Sequence, residues 1–142
     1  MNRKIDIDNW ERRDHFHFFR QFEYPFFGIC TEVDCTETYH QVKEEGASFF
    51  LSYLHKSLVA ANQTEPFRYR IVGDEVLVYD QTDASPTINR PNGTFGFSYL
   101  HYYPDFSDFV REAQREIEKV RNSSGLVSAV SGENVIHYSS LP

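Results

Sequence analysis

Two long stretches of the chain repeat their hydrophobic positions with the period of a helix. After Ser48, the residues Phe50, Tyr53, Leu54, Ser57, Leu58 and Ala61 recur at three- and four-residue steps, which places them on one helix face. Gly46 breaks the preceding run, and Ser48 stands where a hydroxyl would cap the new helix. Phe106, Phe109, Val110, Ala113, Ile117 and Val120 form a second stripe, with Asp105 and Asp108 at its start and Lys119 and Arg121 at its end, as the helix dipole prefers. Two shorter helices are predicted as well. One is opened by Asp8 and Glu11 in the form of a capping box and takes in Trp10, Phe16, Phe18 and Phe19; the other runs from a capping Thr36 through Lys43.

Other segments carry the period of a strand. Residues 28–34 set Ile29, Thr31 and Val33 against Cys30, Glu32 and Asp34, which predicts a half-buried strand. Residues 67–71 and 76–79 flank Gly73-Asp74, a turn signal, and read as an antiparallel hairpin. Residues 95–103 form an aromatic strand and residues 135–138 a last one. Residues 80–93 are rich in Pro, Asn, Thr and Asp, so a loop is expected there, with a short extended piece at Thr87 and Ile88; residues 122–132 read as a second loop. Helices and mainly antiparallel strands alternate irregularly, which points to a layered α+β domain, and 142 residues suit one such domain.

Composition narrows the function. Thirteen Phe and nine Tyr are enough for an aromatic-lined pocket. A net charge of −7, with no basic cluster longer than Arg12-Arg13, argues against a nucleic-acid partner. No segment reaches the roughly 18 apolar residues of a membrane span, and residues 1–14 have no apolar signal-like core, so a cytoplasmic location is the default expectation. Cys30 and Cys35 lie in a segment read as extended, on opposite faces, and neither has the spacing of a disulfide or a metal site.

The run Asn9-Trp10-Glu11-Arg12-Arg13-Asp14-His15-Phe16-His17-Phe18 has the form N-W-x-R-x-x-x-F-x-F, and it resembles the N-terminal signature of the chloramphenicol acetyltransferase-like family. Thr31-Glu32-Val33-Asp34, Ser48-Phe49-Phe50, residues 67–71, Thr94-Phe95 and the closing Ser139-Ser140-Leu141-Pro142 extend the likeness in order. The resemblance implies a two-layer α/β sandwich of the α+β type, with a mixed sheet and helices on one face, incomplete at its C-terminus. It also implies a homotrimer with active sites between subunits, and transfer of an acetyl group from acetyl-CoA to a hydroxyl of a small aromatic acceptor such as chloramphenicol.

The family's catalytic base is the His of an H-H-x-x-x-D-G motif, and no His of this sequence is followed by Asp-Gly at that distance. An alcohol needs its proton removed as it attacks a thioester, and imidazole is the side chain poised near neutral pH. The chain is therefore expected to be inactive by itself. The resemblance makes Ser139 the hydroxyl that stabilises the oxyanion and Arg12 a structural support of the active site. It makes Phe18, Phe19, Thr87, Phe95 and Phe97 the acceptor-pocket lining, with Phe19 standing where relatives commonly carry Tyr. His137, two residues before Ser139, is a conceivable substitute base on the same strand face. Two alternatives stay open: a non-catalytic small-molecule-binding or interaction module on the same fold, and an acyltransferase core of the related dihydrolipoamide type.

Overall fold

In the computed structural model, which describes residues 1–127 and 132–141, two three-stranded sheets share the chain with four helices. The first sheet has the order β1-β3-β2, from β1 (Asn2–Lys4), β2 (Tyr69–Val72) and β3 (Glu75–Tyr79), and all its pairings are antiparallel. The expected hairpin is the β2–β3 pair, and Gly73 takes φ +60° at its turn, a conformation that side chains disfavour. Ile5, Phe16, Val76 and Val78 form a small core over this sheet, with Trp10 and Tyr69 packed against it.

The second sheet, in the order β5-β4-β6, is mixed. Its centre is β4 (Asp83–Asn89), antiparallel to β5 (Phe95–Phe97) and parallel to β6 (Val135–Tyr138). Helices α3 (Phe49–Gln63) and α4 (Phe106–Arg121) cover one of its faces. Leu51, Leu54 and Leu58 of α3 meet Phe109, Ala113 and Ile117 of α4 over Ala84 and Ile88 of β4, forming the main core. Both helix starts are capped as their sequences imply: Ser48 Oγ accepts from the Leu51 N–H at 3.3 Å, and Asp105 Oδ1 from the Asp108 N–H at 3.0 Å.

Four expectations need correction. The capping box at Asp8 does not form: Asp8 lies in a 3-10 turn, Ile7–Asn9, and α1 (Arg13–Phe19) begins after Arg12 with no side-chain cap. At α2 (Thr36–Glu44) the capping oxygen comes from Asp34, which accepts from the Thr36 N–H at 2.9 Å. The Thr36 side chain, and then its N–H, hold the Asp34 carboxyl below the usual carboxylate range by hydrogen bonding. Residues 28–34 form no strand, because no neighbouring strand pairs with them; Ile29 and Val33 are exposed.

The fourth correction concerns residues 80–93, where β4 replaces the expected loop and is the best-buried strand of the molecule. Pro86 explains its disguise. A proline has no N–H to give a ladder, so the Ser98 N–H donates to the Pro86 carbonyl at 3.0 Å without a reciprocal bond. Regular β5 pairing stops at Phe97 and resumes only as a bridge between Ala84 and Leu100, so the aromatic strand is shorter than its composition suggests.

Candidate functional site

The mixed sheet has a helix-covered face and an opposite face, and alternation along its strands sorts the candidate residues between them. Ala84 and Ile88 enter the core under the helices. On β6, the Tyr138 hydroxyl meets Ser57 of α3 at 3.1 Å, and the Ser140 hydroxyl meets that of Tyr53 at 2.5 Å, so positions 138 and 140 face the helices too. His137 therefore belongs to the opposite face, and Ser139 follows directly on the last residue of β6. Ser85 and Thr87 of β4 share that face; Ser85 is registered with His137, and Thr87 with Phe97. The fold thus brings Thr87, Phe97 and His137 to one sheet surface, with Phe95 beside Phe97 at a ring separation of 5.8 Å. Ser139 and His137 are both exposed.

Phe18 and Phe19 lie elsewhere. With Phe22 they form a cluster of three rings, 5.2–5.4 Å apart, at the end of α1. The rings of Phe95 and Phe97 pair with each other and those of Phe18, Phe19 and Phe22 among themselves. Arg12 is exposed and makes no ion pair among the described residues, while its neighbour Arg13 pairs with Asp14 at 3.1 Å.

A cavity of about 550 Å³ opens beside Ser140. Ser48 and Phe50 at the start of α3, Thr87 and Asn89 of β4, and Gln114 and Arg121 of α4 contribute to its walls. It mixes apolar surface with hydroxyl, amide and guanidinium groups, which suits an elongated amphipathic ligand.

Two anchors of this region were not read from the sequence. Asp83, buried at the start of β4, accepts from the Tyr99 hydroxyl at 2.6 Å, the Tyr102 N–H at 2.8 Å, the Gln81 amide at 2.9 Å and His101 Nδ1 at 3.2 Å. These bonds tie down the chain between β5 and α4. Burial, and then the hydrogen bond to Asp83, push the Tyr99 phenol well above the usual tyrosine range. Arg70 of β2 donates to the carbonyls of Glu133 at 2.6 Å and Val135 at 2.9 Å, and to Thr82 Oγ1 at 3.1 Å, so a residue of the first sheet fixes the start of the strand that leads to Ser139. Desolvation lowers the pKa of its guanidinium, whose forked N–H groups are met here by neutral oxygens. Neither role has a local signature, because the partners are distant in sequence.

A family model described as chloramphenicol acetyltransferase matches residues 1–142. The chain belongs to the chloramphenicol acetyltransferase family. Chloramphenicol acetyltransferase 2 of Escherichia coli is 28% identical over 141 residues, covering 98% of this chain and 66% of that protein. The chloramphenicol acetyltransferase of Staphylococcus aureus is 30% identical over 126 residues, covering 87% of this chain and 57% of its own length. A solved chloramphenicol acetyltransferase superposes with a TM-score of 0.80 at 40% identity, covering 87% of this chain and 59% of that one. The chain thus spans at most 66% of the length of these relatives. The α+β architecture expected from the sequence is the one found.

Proposed function

We propose that this chain supplies the acceptor and oxyanion parts of an acetyl-CoA-dependent O-acetyltransferase that acetylates a hydroxyl of a small aromatic acceptor such as chloramphenicol. The reading is supported by the sheet register that sets His137, two residues before Ser139, on the same face as Thr87 and Phe97, in a chain of this family. In the reaction the acceptor oxygen attacks the thioester carbonyl, and an imidazole takes its proton. Ser139 donates its O–H to the oxyanion of the tetrahedral intermediate, a contact of a kind worth about 2.7–4 kcal/mol in barrier height. The intermediate collapses with the CoA thiolate as leaving group, which receives the proton back. The cavity beside Ser140 is our choice for the acetyl-CoA arm, with Arg121 in its wall offering charge to a phosphate.

The imidazole is the part these 142 residues do not provide in the family's H-H-x-x-x-D-G form. We assign it to residues outside this stretch, together with the acidic partner that would fix Arg12. The separation of the Phe18–Phe19 cluster from Phe95 and Phe97 fits a pocket completed between copies of the protein, as in a homotrimer. A cytoplasmic setting would provide acetyl-CoA, and drug acetylation would serve antibiotic resistance.

The test is a CoA-release assay with the 142-residue chain and chloramphenicol, paired with ligand-observed NMR. Acceptor binding without turnover is expected, and Phe97→Ala should weaken the binding. Turnover by the chain itself that His137→Ala abolishes would make His137 the base and overturn the assignment. Binding with no turnover even in a protein carrying the complete family motif would favour the non-catalytic binding module.

A further inference from the structure

Asp83 does more than tie down the chain between β5 and α4, because it also holds an imidazole that faces solvent. The His101 side chain is 64% exposed, while the Asp83 side chain against its Nδ1 is 4% exposed. N–H groups of the Tyr102 backbone and the Gln81 amide donate to Asp83 Oδ1, and the Tyr99 hydroxyl donates to Oδ2, so the carboxylate acts throughout as an acceptor. The 3.2 Å contact between Oδ2 and His101 Nδ1 is therefore an N–H donated by the ring. With its proton on Nδ1, the neutral ring carries its lone pair on Nε2, which has no hydrogen-bond partner among the described residues. The ring is also held from the side: Tyr99 meets it edge-on at 4.9 Å, and the N–H of the next residue, Tyr102, is bound to the same carboxylate. His15, His17, His40 and His137 are exposed too, but among the described residues none of their rings is paired with a carboxylate.

A fixed imidazole with a free lone pair and a buried anion behind it has the parts of a nucleophile. We propose that His101 is an acyl-accepting site for small activated esters, with Asp83 as its positioning residue. The Nε2 lone pair attacks the ester carbonyl, and the tetrahedral adduct collapses by breaking the C–O bond to the aryloxide leaving group. This leaves an N-acylimidazolium ring whose Nδ1–H still donates to Asp83, and the carboxylate stabilises its positive charge. Water then adds to the acyl carbon, and the C–N bond breaks with its electron pair returning to Nε2. The carboxylic acid and the proton lost from the water pass to solvent. The reaction runs at the protein surface, so the rate should rise linearly with ester concentration and require a good leaving group.

p-Nitrophenyl acetate is the probe, added to the purified 142-residue chain. His101→Gln should lower protein-dependent nitrophenolate release about threefold or more, the remainder coming from the other exposed histidines. Peptide mass mapping after brief treatment with diethyl pyrocarbonate should find the carbethoxyl group on His101 before any other histidine. Asp83→Asn keeps the shape of the side chain but removes the charge behind the ring, and should slow ester cleavage to near the rate of His101→Gln. If that variant loses its helical circular dichroism, long-range 1H–15N spectra of the parent take its place: they should show the His101 proton on Nδ1, and a proton on Nε2 would overturn the site. So would a cleavage rate unchanged by either substitution, or first carbethoxylation at another histidine. Neither the aryl ester nor a replaced residue enters the proposed acetyl-CoA reaction, so this outcome is independent of that reading.

Discussion

Two aromatic-rich regions of this molecule meet opposite fates. Around the mixed sheet, Leu54, Leu58 and Phe109 are fully buried, and Leu100 and Ala84 nearly or wholly so. Between α1 and α2, in contrast, residues 22–34 have no regular structure, and Phe22, Tyr24, Phe26, Phe27, Ile29 and Val33 are all exposed. Both regions carry large apolar side chains, so their presence alone does not decide the difference. What decides it is partnership: α3 and α4 each present a stripe at helical spacing, and the two stripes close over β4. The arm has apolar side chains but, among the described residues, no second surface that receives them. A contiguous exposed apolar segment of this kind marks a surface that meets something else.

The comparison breaks most directly at Phe109, which contacts both helices' core residues and has no exposed surface. Phe109→Ala should lower unfolding free energy by about 3–5 kcal/mol, through lost burial and the cavity left behind. Urea unfolding followed by circular dichroism reads this directly. A loss below about 1 kcal/mol would mean that the core collapses around the gap, and that the sheet region is no better packed than the arm.

A smaller effect is expected at Arg70, which joins the first sheet to β6 rather than filling a core. Arg70→Met keeps much of the stem but removes the donors to Glu133, Val135 and Thr82, at a cost of about 2–3 kcal/mol. Hydrogen exchange should show the loss as faster exchange along β6, with α3 and α4 changed only by the global shift. If β6 exchange is no faster than that of the helices, the strand leading to Ser139 is held by its β4 pairing alone.

How far the sequence disclosed this division depends on whether each signal is local. The α3 and α4 stripes, their starts at Ser48 and Asp105 and the turn at Gly73 are each complete within a few residues, and all are found. The strand β4 was hidden because its burial comes from neighbours on both sides, while its own residues, Asp83, Ser85, Pro86 and Asn89, spell a loop. Residues 28–34 fail in the opposite sense: the alternation is local, but a strand also needs a partner. For the candidate site, Ser139, Thr87 and Phe97 were marked by family resemblance, and the shared face of Thr87, Phe97 and His137 follows from sheet register. Asp83 and Arg70 could not be found that way, since the partners that tie them to other elements lie 16 to 19 and 12 to 65 residues distant.

The weakest expected effect lies in the arm itself, and it tests whether exposure there is a property of the protein in solution. Phe26 is 87% exposed and lies outside both hydrophobic clusters of the fold. Replacing it with Ser removes apolar surface that folding does not bury, so the folded and unfolded states lose nearly the same hydration cost. The change in unfolding free energy should stay within about 0.5 kcal/mol at low protein concentration. Burial against another copy behaves differently, because any stabilisation from association grows with protein concentration. Thermal unfolding of the parent and of Phe26→Ser over a hundredfold concentration range separates the cases. Coincident curves at every concentration mean that the ring stays in water. A parent Tm that climbs with concentration while that of the variant does not means that the arm is covered between copies, and its contrast with the sheet core then belongs to the single chain alone. A loss above 1 kcal/mol at the lowest concentration would show the arm packed within its own chain and remove the contrast.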